Sequence, residues 1–477
     1  QVLSAAPFIL RGRHTMTDQR PAISPEIIDN TFQLAPETLE ALRDAIGHED
    51  AKAIRSLTKE MHAADLAECI SLFSSEQRVV LIEAIRRSFE AEVLVDLEPD
   101  VKDEVVEILG PEKAASVISQ LELDDAIQVM EDLGEDEQQA ILGAIPQQDR
   151  EILEETLAYP EDAAARIMSD QFVALPQNWT VGKTIDFLRK TEKLPDDFYT
   201  IYVIDRHKRP VGSVLVSRVI RSNRDVEIKS IMEDTLHVVN AETDQEEVAY
   251  MFRKYALASA PVINDSGVMI GVIIVNDIVT VMEEEAEEDI LRLGGVSAAT
   301  DLYSSSMQTA LQRSPWLFVN LLTAIAASAV IALFDESIEK LVALAVLMPI
   351  VASMAGNAGT QTLTVAVRGI ATKELTPTNA MRVLMKEIGA SVFNGLVFAV
   401  VVGVTCWFYY DSLYLSIIFA LATAVSLIVA AFAGAVIPLG LVRVGVDPAV
   451  ASGVFLTTVT DISAFFSFLG LASWILL

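Results

Sequence analysis

Imidazole and thiol side chains are scarce in this sequence, and that scarcity excludes several kinds of site. The chain has two cysteines, Cys69 and Cys406, and no histidine follows His237. Two cysteines this far apart support neither a disulfide framework nor a thiolate metal site. Since the apolar last third has no histidine, histidine-held zinc or haem and histidine-dependent hydrolysis are excluded there.

Charged residues are also missing from five long apolar runs near the C-terminus. Four of these runs contain no Asp, Glu, Lys or Arg, and the fifth contains one, Asp461. A bilayer-spanning helix needs about 20 apolar residues, and every run is long enough. We therefore predict a transmembrane domain over residues 313–477, with spans at about 314–334, 341–367, 388–410, 412–442 and 448–477.

Basic residues near the ends of the runs are distributed unevenly. Only Lys340 lies on one side of the predicted membrane. The other side has Arg313, Arg368, Lys373, Arg382, Lys386 and Arg443. By the positive-inside rule, we predict a multi-pass protein of the cell (inner) membrane. Its N-terminal half is expected in the cytosol and its C-terminus on the periplasmic or extracellular side.

Acidic residues dominate the chain before the spans. Of the 67 acidic and 35 basic residues, 59 and 28 lie in the first 310, a net charge of about −31. Such a surface repels nucleic acid and attracts counter-cations. Solubility alone would also account for it.

The periodicity of the acidic part changes along the chain. Residues 1–30 form an extension that we predict to be disordered. Residues 31–165 show apolar positions at helical spacing in short stretches, which predicts a superhelical all-α domain. Two copies of a strand-helix-strand-strand-helix pattern follow, over 166–228 and 229–281, and an acidic connecting helix over 282–312 leads to the spans.

The two copies resemble a tandem pair of CBS domains, an α/β fold. CBS domains that bind adenine nucleotides use a hydroxyl before the last helix of each copy and an acid at its start. Leu215 and Ile274 stand at the hydroxyl positions here, and only Asp277 keeps the acid. We therefore expect nucleotide, including ATP, to bind weakly or not at all.

Asp461 is an acid within an apolar run. Such a residue costs about 2.5–3.5 kcal/mol at the centre of a span unless it meets water, a partner or a cation. No lysine or arginine lies within the runs to pair with it. It is therefore either a protonated structural acid or part of a cation site.

A second polar interruption lies in the second run, at Gly356-Asn357-Ala358-Gly359-Thr360-Gln361. These residues indicate either a close-packing helix face or unwound backbone that lines an aqueous path. Oxygen ligands without sulfur or imidazole favour Mg²⁺ or Ca²⁺. The candidates for lining such a path are Gly356, Asn357, Gly359, Gln361, Thr457 and Thr458.

Taken together, these features resemble the MgtE family of magnesium channels and transporters. The residues that carry the resemblance are Pro315-Trp316, Pro349, the segment from Gly356 to Gln361, Arg368-Gly369, Lys386-Glu387, Gly445-Val446-Asp447-Pro448-Ala449, Thr457 and Asp461. The domain order agrees as well: a helical N domain, a CBS pair, a connecting (plug) helix and five spans. The resemblance covers nearly the whole chain.

The resemblance implies a homodimer in the lipid bilayer that takes up Mg²⁺ and is not an enzyme. Asp461 of both subunits would face the ion. Cytosolic Mg²⁺ would bind sensor carboxylates and close the pore through the connecting helix. The positions that match the family's sensors are Glu92, Asp124, Asp244, Glu246, Asp277, Glu285, Glu288 and Asp289.

The same residues also bear on other functions. They fit a transporter of broader selectivity that passes Mn²⁺ or Co²⁺ as well. They also fit a membrane Mg²⁺ sensor without transport. An anion channel with CBS domains fits worse, because those channels carry the CBS pair after the membrane domain. A membrane enzyme would need a Ser–Lys or paired Asp motif, and the apolar runs contain neither.

Overall fold

The computed structural model describes residues 35–191, 194–195, 198–296, 306–376 and 378–476. The extension at 1–30 and part of the connecting segment lie outside the described residues. The chain forms two compact units. The first comprises the residues up to Glu161 together with Ala165–Gln171, and the second comprises Asp162–Ala164 and the residues from Phe172 onward.

The described part of the first unit contains ten short helices around one apolar core. Prolines open several of them, at Pro36, Pro99 and Pro111, where a missing N–H costs nothing. Their bounds are α1 Pro36–Gly47, α2 Ala51–Thr58, α3 Ala63–Leu72, α4 Ser75–Ile85, α5 Glu92–Val95, α6 Pro99–Leu109, α7 Pro111–Ile118, α8 Leu123–Glu131, α9 Glu135–Ala144 and α10 Gln147–Leu157. The predicted helical N domain is confirmed.

The second unit begins with two small mixed sheets. In each, the first strand pairs parallel to the second and the second pairs antiparallel to the third. The first copy contains β1 Ala174–Pro176, α11 Val181–Lys190, β2 Thr200–Ile204, β3 Pro210–Leu215 and α12 Val216–Arg221. The second contains α13 Ile228–Ile231, β4 Val239–Asn240, α14 Gln245–Tyr255, β5 Ser259–Ile263, β6 Met269–Ile274 and α15 Val275–Leu293. This is the predicted CBS pair.

The two sheets share a small apolar cluster. Tyr202 of the first copy packs with Met269 and Val272 of the second. The Tyr202 hydroxyl donates a hydrogen bond to Ser259 Oγ at 2.7 Å. Helix α15 is continuous across residue 281, so the last helix of the second copy is also the connecting helix.

Within the described residues, five helices are long and apolar enough to cross a membrane, as predicted. In chain order the membrane domain contains α16 Ser306–Ala332, the short α17 Asp335–Lys340, α18 Ala343–Ala371, α19 Ala380–Tyr410, α20 Leu413–Arg443 and α21 Pro448–Leu476. Helix α20 contributes the most buried side chains of these, because it packs against α18, α19 and α21.

The interruption in the second span does not unwind. Helix α18 is continuous through Pro349 and through residues 356–361, so the unwound alternative is wrong. The close-packing alternative is correct for Gly359. A Cβ there would lie 3.0 Å from Leu456 Cδ1, and a Cβ on Gly434 of α20 would lie 2.6 Å from the Gly359 carbonyl oxygen. Glycine at these two positions lets three helices approach closely.

Candidate ion path and metal-sensing surface

Asp461 lies near the middle of α21, half-buried within the chain. Among the described residues no side chain forms a hydrogen bond or ion pair with its carboxylate. A protonated structural acid would be expected to bond a neighbouring hydroxyl, and none does so here. A carboxylate without a partner in an apolar helix is a functional candidate.

Hydroxyl groups share the Asp461 side of α21. Thr457 and Thr458 lie four and three residues earlier, so they are on the same helix face. Their hydroxyls donate to the carbonyls of Gly453 at 2.9 Å and Val454 at 2.7 Å. Because the donor is satisfied within the helix, the oxygen lone pairs remain available to water or a hydrated ion.

Helix α18 presents a polar stripe that the other described helices leave uncovered. Its exposed members recur at helical spacing and comprise Ser353, Asn357, Thr360, Gln361, Thr364 and Arg368. Asn357 and Gln361 are thus exposed on this stripe, and their place beside an ion path stays a prediction. Gly356 is half-buried with open space at its Cβ position. Gly359 is buried between α20 and α21, so it packs helices and does not line a path.

The predicted sensor residues of α14 and α15 come together. Asp244, Glu246, Glu285 and Asp289 interact electrostatically, and Asp162 joins them. Gln245 Nε2 donates to Glu285 Oε1 at 2.9 Å, while Asp244 accepts the Glu246 N–H at 2.8 Å and caps α14. Burial, reinforced by the neighbouring acids, raises the pKa of Glu285 and of Asp289 above the ordinary value. The cluster therefore favours a bound cation or proton.

A basic side chain of the membrane domain, Lys373, lies beside this cluster and interacts electrostatically with Glu246. Lys373, in the loop between α18 and α19, lies 3.5 Å from Glu247 and 4.9 Å from the Tyr250 ring centroid. Arg253 of α14 donates to the Thr372 carbonyl oxygen at 3.3 Å. Sequence reasoning missed the contact between Lys373 and Glu247, because these residues are 126 positions apart.

Two predicted sensors have other surroundings. Asp277 accepts the Ile274 N–H at 3.2 Å, so it also caps its own helix. Glu288 pairs with Arg292, which in turn contacts Asp447 at the start of α21. Burial raises the pKa of Glu288, and the Arg292 guanidinium opposes that shift.

The first unit has an acidic cluster of its own. Glu92 of α5 and the neighbouring acids Asp96 and Glu122 surround Asp125, which stands beside the predicted Asp124 on α8. Burial and these like charges raise the pKa of Asp125 to about 6. Sequence reasoning missed Asp125, although two adjacent acids at a helix start were a visible signal.

No group of three or more acidic, histidine or cysteine side chains converges on one ion-sized site within the described residues. The described residues of a single chain therefore do not form a site that holds a dehydrated metal ion with a full set of protein ligands. Mg²⁺ keeps several waters in most protein sites, and loosely spaced carboxylates can bind such a hydrated ion.

Three family models match the chain. Residues 348–471 match a model described as a divalent cation transporter, MgtE. Residues 61–162 match the MgtE intracellular N domain, and residues 228–284 match the CBS domain.

The chain is similar to curated proteins and to a solved structure. It is 30% identical over 446 residues to the magnesium transporter MgtE of Thermus thermophilus, covering 91% of this chain and 98% of that protein. It is 28% identical over 419 residues to the magnesium transporter MgtE of Bacillus subtilis, covering 88% and 93%. A crystal structure of the cytosolic domain of the Mg²⁺ channel MgtE in complex with ATP is 27% identical, with a TM-score of 0.47, covering 51% of this chain and 99% of that one. By its helical intracellular domain, CBS pair and five-span membrane domain, this chain belongs to the MgtE family.

Proposed function

We propose that this chain carries Mg²⁺ across the inner membrane into the cell, with Asp461 facing the ion. The observation that carries the proposal is the Asp461 carboxylate, which has no partner among the residues that the structure describes and lies beside two threonine hydroxyls on an apolar helix. A carboxylate and neutral oxygens bind a hard cation and leave its waters in place. The relatives named as magnesium transporters support Mg²⁺ as that cation.

We infer that the working unit is a homodimer in the bilayer. The polar stripe of α18 is costly against lipid, and a second copy would cover it. A second uncovered surface lies on the connecting helix, where Val275, Val279 and Met282 are 42, 59 and 41% exposed at helical spacing. Two copies joined along both surfaces would place both Asp461 side chains on one axis.

Regulation by cytosolic Mg²⁺ is part of the proposal. The acids of α14 and α15 carry excess negative charge and lie on the helix that continues toward the spans. Mg²⁺ among them would hold that helix in one position and shut the pore. The acids around Asp125 would bind Mg²⁺ in the same way in the first unit.

Nucleotide is not needed for this mechanism. Leu215 and Ile274 lie exposed at the ends of β3 and β6, without the hydroxyls that nucleotide-binding copies use. Weak or absent ATP binding stays a prediction for this chain.

The transport proposal is tested by ion influx. The chain reconstituted in liposomes that contain a Mg²⁺-sensitive dye should admit Mg²⁺ when the inside is negative, and empty liposomes should not. Equal entry of Mn²⁺ and Co²⁺ would favour the broader transporter. Absence of any divalent influx by a folded dimer would favour the sensor without transport.

The orientation makes a separate prediction. Six of the seven basic residues near the spans lie on one side, which should be cytosolic. A reporter enzyme active only outside the cytosol should therefore be active when fused after Leu477. A C-terminal fusion that is active only in the cytosol would contradict five spans in this orientation.

A further inference from the structure

One basic side chain joins the connecting helix to the membrane domain. Arg292 lies in the last turn of α15, where its guanidinium donates to Glu288 one turn earlier and to Asp447 Oδ2 at 2.5 Å. The other Asp447 oxygen accepts the Ala449 N–H at 2.8 Å and so caps the first turn of α21. A single carboxylate thus links Arg292 to the helix that carries Asp461.

An apolar contact lies directly beside this ion pair. Leu293 packs on a cluster contributed by α18, α20 and α21, which contains Leu363, Val367, Ala433, Ala449 and Leu456. Immediately afterwards the helix ends: the Gly294 N–H donates to the Ile290 carbonyl, and Gly295 has a φ of +70°. The end of α15 is therefore held on the membrane domain by an apolar contact and an ion pair.

The charges around Arg292 show why the ionic contact matters. Glu288 and Asp289 approach Asp447 from the connecting helix, and each of the three is an acid. Without Arg292 they would repel one another across the gap between α15 and α21. The Arg292 and Asp447 side chains are 35 and 33% exposed, so water screens the pair only in part.

We propose that Arg292 is a tethered cation that latches the connecting helix to the capped start of α21 and thereby sets the Mg²⁺ concentration at which the pore closes. It is a positioning residue that acts through Asp447. Diffusible Mg²⁺ leaves Glu288 and Asp289 when its concentration falls, but the guanidinium remains. The latch keeps α15 near its seat, so less Mg²⁺ suffices for closure. The inference rests on the proposed Mg²⁺ transport and its closure by Mg²⁺.

The test measures influx through the full-length chain in liposomes over a range of Mg²⁺ on the cytosolic face. Arg292→Gln keeps hydrogen-bonding capacity but removes the charge. We expect it to raise the half-inhibiting Mg²⁺ concentration about fivefold, equivalent to about 1 kcal/mol. Maximal influx at the lowest Mg²⁺ should stay unchanged, because the open path does not use Arg292. Arg292→Lys should restore most of the wild-type value.

Two further variants separate the latch from a general charge effect. Arg206→Gln removes the same charge from an exposed turn between β2 and β3 and should leave the half-inhibiting concentration unchanged. Asp447→Asn keeps an oxygen for the Ala449 N–H but loses the ion pair. In the double variant with Arg292→Gln, its effect should not add to that of Arg292→Gln, since both remove one interaction.

The outcomes are distinct. Inhibition of Arg292→Gln at the wild-type Mg²⁺ concentration would overturn the latch, and so would fully additive effects of the two substitutions. If Arg292→Gln does not fold, Asp447→Asn alone decides: wild-type inhibition by that variant overturns the latch. A wild-type chain that passes no Mg²⁺, or passes it without inhibition, would instead overturn the proposed function.

Discussion

We expect Asp461→Asn to lower Mg²⁺ influx at least tenfold while the proposed dimer stays folded. The substitution keeps the size and hydrogen-bonding capacity of the side chain and removes its charge. Two facing carboxylates would share one hydrated Mg²⁺, whose two charges cancel theirs and whose waters donate to them. Two amides would offer the ion only dipoles. The entry of a divalent cation into an apolar region would then go uncompensated.

Matched variants make this experiment sharper. Asp461→Glu keeps the charge on a side chain one methylene longer and should retain part of the influx. Asp411→Asn removes an acid from the same domain at the end of α19, where the backbone φ is +47°. Asparagine tolerates that conformation, so this control should transport like the wild type.

Measurement combines dye influx with size-exclusion chromatography of the purified variants. A well-folded Asp461→Asn dimer with wild-type influx would rule out Asp461 as the ion-facing acid, whatever family the chain belongs to. Loss of influx together with loss of the dimer would point to a structural acid. Only lost influx in an intact dimer supports the proposed role.

Sequence patterns predicted the architecture well because its signals are local. Uninterrupted apolar runs produced the five spans, and the change from helical to alternating periodicity marked the CBS pair. Whether the second span unwinds or stays helical could not be predicted in the same way. Glycine suits both unwound backbone and close packing, and the choice depends on Gly434, which lies in a different helix.

The candidate site was predictable only in part, for a related reason. Carboxylates such as Glu285 and Asp289 stand out in an acidic helix, and the family resemblance assigns them a role. The basic side chains that lie near these carboxylates do not stand out in the sequence. Arg292 and Asp447 are 155 residues apart and Lys373 and Glu247 are 126 apart, so only the folded chain brings each pair together.

These ion pairs neutralise only part of the negative charge in the acidic half of the chain. Lys373 and Arg292 neutralise only the edges of the α14–α15 cluster, where Asp244, Glu285 and Asp289 remain in excess. The first unit has its own excess around Asp125. Both clusters are therefore strained by repulsion at neutral pH, and a divalent cation is the simplest relief.

We accordingly expect millimolar Mg²⁺ to protect the cytosolic half of the full-length chain from protease. With a net charge of about −31 before the spans, each protomer should loosen when divalent ions are removed by EDTA. A pore that moves from 1:99 to 99:1 closed needs about 5.5 kcal/mol of differential binding. That is more than one weak hydrated site supplies, so several sites must act together. Cleavage should slow about tenfold or more, and steeply, since it follows the population of the open form.

The controls separate bound Mg²⁺ from general screening. NaCl at the same ionic strength screens surface charge but cannot bridge two carboxylates, so it should protect much less. A variant with Glu285→Gln and Asp289→Asn removes two acids of the α15 cluster and should need more Mg²⁺ for the same protection. Replacing the solvated Glu283 and Glu287 of the same helix by glutamine removes equal charge and should change little. Equal cleavage in EDTA and in Mg²⁺, or equal protection by NaCl, would contradict closure by Mg²⁺ at these acids, because ions that order the cytosolic half must first bind there.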